Sequence, residues 1–310
     1  MIGQISLAAI FLLILMTLKV PAPREVARTF APLIPNQRED RKIVLNNIEA
    51  KSVFIFDISQ NKMLYEKNSS DPLPLASLTK LMTILLLEEK SRDGVFIPIS
   101  KDAVLQPHSE GMEPGDRFEK EDLEEFTLAS SSNDGAWAAA EYLSGGDIEN
   151  FALLMNERAR ELGLSSLNFS NPTGLDITIP SSRLSGAFGN AKDISLLLKY
   201  IYENYPNILA KTRKWEISIT SLAGRTINAT NTNEALGDIP QIIAGKTGYT
   251  MVAGGNLAFI FDTGFNHPIV VSILGSSEKG RFEDAKKIAE AIFKYYADQY
   301  RYDISSQLNL

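Results

Sequence analysis

The stretch that organises the chain reads Pro74-Leu75-Ala76-Ser77-Leu78-Thr79-Lys80-Leu81-Met82-Thr83. Pro72 and Pro74 precede a run of strong helix formers, so the pattern predicts a helix that begins near Ser77. Lys80 then lies one turn later on the same helical face. A serine hydroxyl becomes a nucleophile when a base removes its proton, and a lysine is such a base only when it is neutral. Taken by itself, the Ser-x-x-Lys spacing more often marks an ordinary solvated helix start.

Composition excludes several classes of protein. The chain has 310 residues, a formal net charge of −7 and a pI near 5.1, which argues against a nucleic-acid partner. It has no cysteine, which excludes disulfides and thiolate metal sites. Its two histidines, His108 and His267, are predicted to be exposed loop residues, so a serine enzyme of this sequence would use a lysine as its base. Trp137 and Trp215 are predicted to be core residues.

The N-terminus is predicted to carry a targeting or anchoring segment. Residues 1–18 are almost wholly apolar, close to the shortest length that crosses a bilayer. No lysine or arginine precedes this run and no clean cleavage site follows it, so residues 1–19 are predicted as a membrane anchor, with a cleaved signal as the alternative. The proline-rich and charged segment 20–45 is predicted as a linker.

The order of strand-like and helix-like segments is typical of an α+β domain. Predicted strands cover residues 51–57, 62–66, 215–220, 225–229, 241–246, 256–261 and 269–274. Predicted helices cover residues 78–89, 122–128, 134–143, a long segment between Asp147 and Gly163, 190–205 and 281–300. Strands at both ends of the domain enclose a helical middle, and strand–turn–strand runs favour antiparallel pairing. We therefore expect one antiparallel β-sheet flanked by helices, with a helical insert.

Two further short motifs occur downstream. Ser131-Ser132-Asn133-Asp134 opens an alanine-rich helix, and Lys246-Thr247-Gly248 lies on or at the end of a predicted strand. Both motifs have ordinary structural explanations. Ser131 and Asn133 could cap the helix that follows, and Lys246 could be a solvated lysine on an edge strand.

With the three motifs in the order Ser-x-x-Lys, Ser-x-Asn and Lys-Thr-Gly, the chain resembles the serine-type D-Ala-D-Ala carboxypeptidases, the low-molecular-weight penicillin-binding proteins. The resemblance runs from about residue 46 to 300 and includes the connecting segments Asn171-Pro172-Thr173-Gly174-Leu175-Asp176 and Asn190-Ala191-Lys192-Asp193. Three motifs in the right order are far more specific than any one of them. The resemblance implies a β-lactamase/penicillin-binding transpeptidase-like fold.

The resemblance also implies a role for each motif residue. The implied catalytic residues are Ser77, Lys80 and Ser131, and the implied substrate-binding residues are Asn133, Lys246, Thr247, Gly248 and Tyr249. Ser77 is expected to attack the carbonyl between the last two D-alanines, Lys80 to take its proton, and Ser131 to relay a proton to the leaving nitrogen. Asn133 is expected to hydrogen-bond the substrate and to fix Lys80.

The Lys-Thr-Gly segment is expected to bind the substrate. Lys246 and Thr247 would hold the terminal carboxylate, and the Lys246 ammonium would lower the pKa of Lys80. Gly248 would let the substrate strand approach closely. The backbone N–H groups of Ser77 and Tyr249 would form an oxyanion hole. The family commonly has a histidine in place of Tyr249, a difference that bears on substrate fit more than on chemistry.

Other functions use related residues. A D,D-endopeptidase that cuts peptidoglycan cross-links has the same catalytic set, and the motifs cannot separate it from a carboxypeptidase. A class A β-lactamase needs a glutamate that activates water, where this chain has Leu164. A non-catalytic cell-wall binding protein would tolerate loss of Ser77 or Lys80, and both are present.

The sequence therefore predicts one serine D,D-peptidase catalytic domain over residues 46–300, followed by a tail at 301–310. Its predicted activity is removal of the terminal D-alanine from peptidoglycan stem peptides through an acyl-serine intermediate, with no metal or cofactor. The predicted partners are the stem peptide ending in D-Ala-D-Ala, β-lactam antibiotics as covalent inhibitors, and the membrane. Because the substrate is extracytoplasmic, the domain is expected to face outward, although basic residues after the anchor favour the opposite orientation. It would be secreted if the segment is cleaved.

Overall fold

The structure of the chain, a computed structural model, describes residues 42–308. The predicted anchor and the linker up to residue 41 lie outside the described residues. Within the described range, no helix is both long enough and apolar enough to cross a bilayer.

The secondary structure alternates short strands with longer helices. The strands are β1 (Ser52–Asp57), β2 (Lys62–Lys67), β3 (Leu73–Pro74), β4 (Phe96–Pro98), β5 (Arg117–Glu119), β6 (Asn168–Phe169), β7 (Ile177–Ile179), β8 (Ser182–Leu184), β9 (Ala187–Gly189), β10 (Glu216–Thr220), β11 (Thr226–Thr230), β12 (Ile242–Thr250), β13 (Gly254–Asp262) and β14 (Pro268–Ser276). The α-helices are α1 (Lys80–Lys90), α2 (Lys101–Val104), α3 (Lys120–Ser130), α4 (Asn133–Ser144), α5 (Ile148–Glu161), α6 (Ala191–Asn204) and α7 (Gly280–Leu308). Short 3-10 helices cover Ala76–Thr79, Pro206–Arg213 and Glu234–Gly237.

A five-stranded antiparallel sheet in the order β12-β13-β14-β1-β2 forms the centre of the fold. The two ends of the domain meet in this sheet, where β1 pairs with β14 from Ser52 opposite Leu274 to Asp57 opposite Ile269. Strand β12 carries the Lys-Thr-Gly motif and lies at the edge of the sheet. Because β12 pairs only with β13 in this sheet, the other edge of the motif is not covered by a neighbouring strand among the described residues.

Alternate residues of the sheet enter two separate hydrophobic cores. Val53 and Ile55 join one core together with Ile288 and Ile292 of helix α7. Phe54, which lies between them in the chain, joins the larger core formed with the other helices. Successive side chains of a strand point to opposite faces. The sheet is therefore a middle layer between α7 and a helical lobe.

Helix α1 is the central helix of that lobe. Its side chains from Leu81 to Leu87 are all buried, and helices α3, α4 and α5 contact it. A helix without an exposed face belongs in a core. Each buried large apolar side chain contributes roughly 1.5–3 kcal/mol relative to an exposed one. The first residue of α1 is therefore fixed by extensive packing behind it.

The predicted α+β class is confirmed, and the long elements agree with prediction apart from their ends; α7, for example, continues to Leu308. One expectation is wrong, because β10 and β11 form a separate two-stranded hairpin and do not join the main sheet. Inward residues of the hairpin such as Ile217 and Ile227 pack into the helical lobe. The small sheet β3-β9-β6 was not predicted, since strands of two or three residues are too short to show periodicity.

Candidate active site

Ser77 and Lys80 lie at the junction between a 3-10 turn and helix α1. Ser77 is within the turn Ala76–Thr79, and Lys80 is the first residue of α1. Ala76 has a positive φ of 49°, which is uncommon for a residue with a side chain. The Lys80 side chain lies against the turn, with its Nζ 2.9 Å from Ser77 Oγ. The predicted nucleophile and base are therefore in hydrogen-bond contact.

Three oxygen atoms surround the Lys80 amine. Besides contacting Ser77, Nζ donates to Asn133 Oδ1 at 2.6 Å and to the carbonyl oxygen of Thr173 at 2.9 Å. These two oxygens can only accept hydrogen bonds. In the neutral amine, they hold its two N–H groups and leave the lone pair for the hydroxyl proton of Ser77. The arrangement therefore aims a base at the serine.

Burial makes the neutral form of this amine accessible near neutral pH. Lys80 is fully buried, and the resulting desolvation lowers its pKa to about 7, while the carboxylates of Asp134 and Glu110 act in the opposite direction. We expected the Lys246 ammonium to contribute to this shift. Burial is the chief cause of the lowered pKa.

The Thr173 carbonyl is positioned by the turn Asn171-Pro172-Thr173-Gly174. Asn171 Oδ1 accepts hydrogen bonds from the backbone N–H groups of Thr173 and Gly174, at 3.1 and 2.7 Å. Gly174 has a φ of 77°, and a Cβ at this position would lie 1.9 Å from the carbonyl oxygen of Ala76. Only glycine fits there. The sequence marked this segment as family-like but did not reveal that it contributes an acceptor to Lys80.

A second serine–lysine pair accompanies the first. Lys246 Nζ donates to Ser131 Oγ at 2.8 Å and to the Thr247 carbonyl oxygen at 2.8 Å. Burial, reinforced by the charges of Lys80 and Arg281, holds the pKa of Lys246 well below its ordinary value. Two lysine amines and a guanidinium thus lie buried in one region, and burial favours the neutral form of both amines.

The break between helices α3 and α4 exposes the serine of this second pair. Ser131 ends α3 with a left-handed backbone, φ 66°. The next residue, Ser132, caps α4 by accepting the Gly135 N–H at 2.9 Å. The suggestion that Ser131 and Asn133 cap the helix that follows is therefore wrong. Because Ser132 forms the cap, the Ser131 hydroxyl can contact Lys246 and the Asn133 amide can contact Lys80.

Asn133 contacts Lys80 but has less capacity for a substrate than expected. Its Oδ1 accepts from Lys80, as predicted. Its Nδ2 donates to the Pro107 carbonyl oxygen at 2.6 Å. One amide hydrogen therefore remains for a substrate. The hydrogen bond to Pro107 also ties the loop before Glu110 to the site.

Strand β12 lies directly against the serine turn. A Cβ at Gly248 would lie 2.9 Å from the Leu75 carbonyl oxygen and 3.2 Å from the backbone nitrogen of Ser77. We expected this glycine to admit a substrate strand, whereas the backbone that approaches it is the enzyme's own serine turn. The approach brings the two predicted oxyanion-hole donors, the N–H groups of Ser77 and Tyr249, into the same part of the site.

The last two predicted binding residues differ in their exposure. Thr247 is buried, and its Oγ1 lies 2.5 Å from Thr232 Oγ1. The side chain of Tyr249 is 43% exposed. Tyr249 can therefore contact a ligand through its ring as well as through its backbone N–H.

Several of the ordinary structural predictions are wrong. Lys246 is buried and is not a solvated edge residue. Trp215 is 49% exposed and is not a core residue. His267 is not an exposed loop residue, because its Nε2 lies 2.7 Å from the buried carboxylate of Asp57. His108 is exposed, as predicted.

A buried amine directed at a serine hydroxyl, beside a second serine–lysine pair, defines the class of active-site-serine hydrolases. Comparison with known proteins narrows this class. The family model for D-alanyl-D-alanine carboxypeptidase matches residues 37–277. The chain belongs to the D-alanyl-D-alanine carboxypeptidase family.

Relatives with known names and structures agree with this family. The chain is 30% identical over 275 residues to the D-alanyl-D-alanine carboxypeptidase DacF of Bacillus subtilis, covering 86% of this chain and 68% of the relative. Two further carboxypeptidase relatives are matched over 62% of their length. The chain is also 30% identical over 290 residues to the D-alanyl-D-alanine endopeptidase of Escherichia coli, covering 90% of this chain and 86% of the relative.

The expected penicillin-binding fold is confirmed by a solved structure. Penicillin-binding protein D2 from Listeria monocytogenes, in its cefotaxime-bound form, is similar with a TM-score of 0.67 and 25% identity. The similarity covers 79% of this chain and 98% of that one.

Proposed function

We propose that this hydrolase removes the terminal D-alanine from peptidoglycan stem peptides through an acyl-Ser77 intermediate. The observation that carries the proposal is the buried Lys80 amine, which lies 2.9 Å from the Ser77 hydroxyl and has a pKa lowered to about 7. A general base works best when its pKa lies near the operating pH. Membership of the carboxypeptidase family supports the same reaction.

In the proposed acylation step, Ser77 Oγ attacks the carbonyl carbon of the penultimate D-alanine while Lys80 takes the hydroxyl proton. Negative charge develops on the carbonyl oxygen, where the N–H groups of Ser77 and Tyr249 would stabilise it. The carbon–nitrogen bond then breaks. The leaving nitrogen receives the proton of the Ser131 hydroxyl, which Lys246 holds, and the proton that Lys80 took from Ser77 passes on to Ser131. Lys80 is then neutral again, and the terminal D-alanine departs with a free amino group.

In the proposed deacylation step, water attacks the ester carbon of the acyl-enzyme. A proton from the water passes to the neutral Lys80 amine and then to the departing Ser77 oxygen. The products are the shortened stem peptide, now ending in a carboxylate, and the free enzyme. No metal or cofactor enters either step.

The hydrogen-bond donors of the site support a substrate with a terminal carboxylate. The Lys246 amine and the Thr247 hydroxyl are both buried in the site and can donate hydrogen bonds to such a group. We propose that Lys246 and Thr247 bind the carboxylate of the leaving D-alanine. A β-lactam also carries a carboxylate beside a reactive carbonyl, and we propose that such drugs acylate Ser77. The cefotaxime-bound relative supports this proposal.

The second candidate activity is cleavage of peptidoglycan cross-links. The specific observation in its favour is the match to the Escherichia coli endopeptidase, which extends over 86% of that relative. Hydrolysis of a linear pentapeptide and of a cross-linked dimer by the same preparation separates the two activities. A β-lactamase of the class A kind is disfavoured because Leu164, at the position of its glutamate, is a buried core residue.

The intact mass of the full chain, followed over time with benzylpenicillin, tests the proposed nucleophile. We predict a lasting adduct in the native protein and none in Ser77→Ala, because the variant lacks the attacking oxygen. Circular dichroism of the variant controls for folding. An adduct that survives in Ser77→Ala would place the nucleophile elsewhere, and rapid consumption of the drug without an adduct would indicate a β-lactamase.

We propose further that the catalytic domain faces outward at the cell membrane, held by residues 1–19, or is secreted if that segment is cleaved. The apolar character of the segment and the extracytoplasmic place of the proposed substrate support this. Cell fractionation with protease treatment of spheroplasts tests it. Protection of the domain from an external protease would contradict the outward orientation.

A further inference from the structure

Arg281, in the first turn of helix α7, is a buried cation that the proposed mechanism does not use. Only 7% of the residue is exposed, and its Nη1 donates to the carbonyl oxygen of Gly248 at 2.8 Å. Among residues 42–308, the carboxylates of Glu278 and Glu234 raise the pKa of Arg281 through their charge. Neither carboxylate lies within 4.0 Å, the distance that defines an ion pair. Its buried Nε has no hydrogen-bond partner among the described residues. Buried arginines are normally paired with carboxylates, so this one requires an explanation.

The peptide that Arg281 contacts is the one that carries a proposed oxyanion-hole donor. The Gly248 carbonyl and the Tyr249 N–H belong to the same planar peptide unit. The peptide bonds of the described residues are trans, and in a trans peptide the C=O and N–H bonds point in opposite directions. A carbonyl directed at Arg281 therefore turns the Tyr249 N–H away from Arg281.

The other proposed donor adjoins the same peptide. An ideal Cβ on Gly248 would lie 3.2 Å from the backbone nitrogen of Ser77. Gly248 is thus contacted by the serine turn, and its carbonyl is held by the guanidinium. The position of Tyr249 N–H relative to Ser77 depends on both contacts.

We infer that Arg281 is a positioning residue of the oxyanion hole, which fixes the Gly248–Tyr249 peptide and polarises its N–H through the hydrogen bond to the Gly248 carbonyl. The inference rests on the proposed function, from which it takes the oxyanion hole. Hydrogen bonds in a chain polarise one another, and a cation at the carbonyl end makes the N–H a stronger donor. No carboxylate in the described part of the chain forms an ion pair with Arg281, which fits this role because a counter-ion would weaken that polarisation.

The test compares two ligands that differ in charge. Second-order rate constants for acylation of the full chain are measured by intact mass with benzylpenicillin, which has a carboxylate, and with its methyl ester, which does not. In Arg281→Met we expect both rate constants to fall by the same factor, about tenfold to a hundredfold. This is less than the roughly 10²–10³-fold loss typical when an oxyanion-hole donor itself is removed.

A second variant keeps the test decisive if Arg281→Met does not fold. Arg281→Lys retains a charged donor on a flexible stem, so both rate constants should fall by a smaller, equal factor. A fall confined to benzylpenicillin would assign the guanidinium to the ligand carboxylate and overturn the inference. Unchanged rates in a folded variant would also overturn it.

The matched control is Arg158→Met. Arg158 is ion-paired with Glu89 at 2.7 Å and belongs to helix α5. Its loss should lower thermal stability without changing either acylation rate. The proposed function is tested separately by native acylation that disappears in Ser77→Ala. That result can hold while the inference about Arg281 fails, whereas a native chain that is never acylated would overturn both.

Discussion

The protonation state of Lys80 depends on two opposing effects. Burial favours the neutral amine, while the carboxylates of Asp134 and Glu110 favour the ammonium. Asp134 is itself buried, and it accepts backbone N–H groups from Glu110 at 2.9 Å and Gly135 at 3.0 Å. A buried charge is tolerated when such hydrogen bonds satisfy it. The result is an amine whose pKa of about 7 lies near neutral pH.

At the scale of this residue, we predict how acylation depends on pH. Protonated Lys80 cannot accept the Ser77 proton, and its pKa is lowered to about 7. The rate constant for acylation by benzylpenicillin should therefore rise with pH through a midpoint near 7 and level off above it. Rates between about pH 5.5 and pH 8.5, with circular dichroism at each pH as a control for folding, check this. A flat profile in folded protein would show that Lys80 is not the base.

At the scale of elements, the junction between α3 and α4 determines which side chains reach the lysines. The left-handed residue Ser131 ends α3, and the next residue, Ser132, caps the start of α4. Two residues that are only two positions apart thereby contact different partners. Ser131 contacts Lys246, and Asn133 contacts Lys80. One helix break supplies a partner to each lysine.

We predict that Ser132→Ala lowers both stability and acylation. Loss of an N-cap side chain costs about 1 kcal/mol of unfolding free energy, and the start of α4 is where Asn133 is positioned. The matched control is Asn190→Ala, which removes the cap of α6, a hydrogen bond from the Asp193 N–H at 2.7 Å. Denaturant melts should show similar losses for the two variants, while only Ser132→Ala slows acylation. If Ser132→Ala and Asn190→Ala are acylated at equal rates, the cap of α4 does not position the active site.

At the scale of the whole molecule, the sheet carries one half of the site and the helical lobe carries the other. Lys246 and Gly248 belong to edge strand β12, whereas Lys80 and Asn133 belong to α1 and α4. The two hydrophobic cores, on opposite faces of the sheet, hold these parts together. The stability of both layers is therefore a condition for activity.

The helical lobe also contains a buried acid that should make stability depend on pH. Glu124 on α3 is buried, and its Oε1 has no hydrogen-bond partner within the part of the chain that the structure describes. Burial raises its pKa to about 9, with Lys120 acting in the opposite direction and Glu88 and Glu121 adding to the increase. Its ordinary pKa is 4.5. Between these values, the folded chain keeps a proton that the unfolded chain releases, so the free energy of unfolding falls as pH rises.

We predict that Glu124→Gln weakens this loss of stability between about pH 5 and pH 9, because glutamine does not titrate. Melting temperatures of the variant and the native chain at several pH values in this range check the prediction. The exposed Glu157 provides the control Glu157→Gln, which should leave the pH dependence unchanged. Parallel curves for Glu124→Gln and the native chain would contradict a neutral Glu124 in the folded state.

The spacing of residues in the sequence was sufficient to identify the pair of Ser77 and Lys80. Ser77 and Lys80 are three residues apart, and one turn of helical backbone brings them together whatever the rest of the chain does. The α+β class was also readable, because long helices and strands such as α6 and β14 have strong patterns. The motif order identified the family resemblance, which the comparisons confirm.

The tertiary structure decided the features that depend on distant residues. Two contacts join segments far apart in the chain: the Thr173 carbonyl with Lys80, and Arg281 with Gly248. The placement of β10 and β11 outside the main sheet is also a tertiary feature. No local pattern encodes such contacts, because they follow from how whole elements pack. The lowered pKa of Lys80 belongs to the same group, since burial is a property of the folded chain. The sequence by itself determined which residues could perform the chemistry, and packing decided their surroundings.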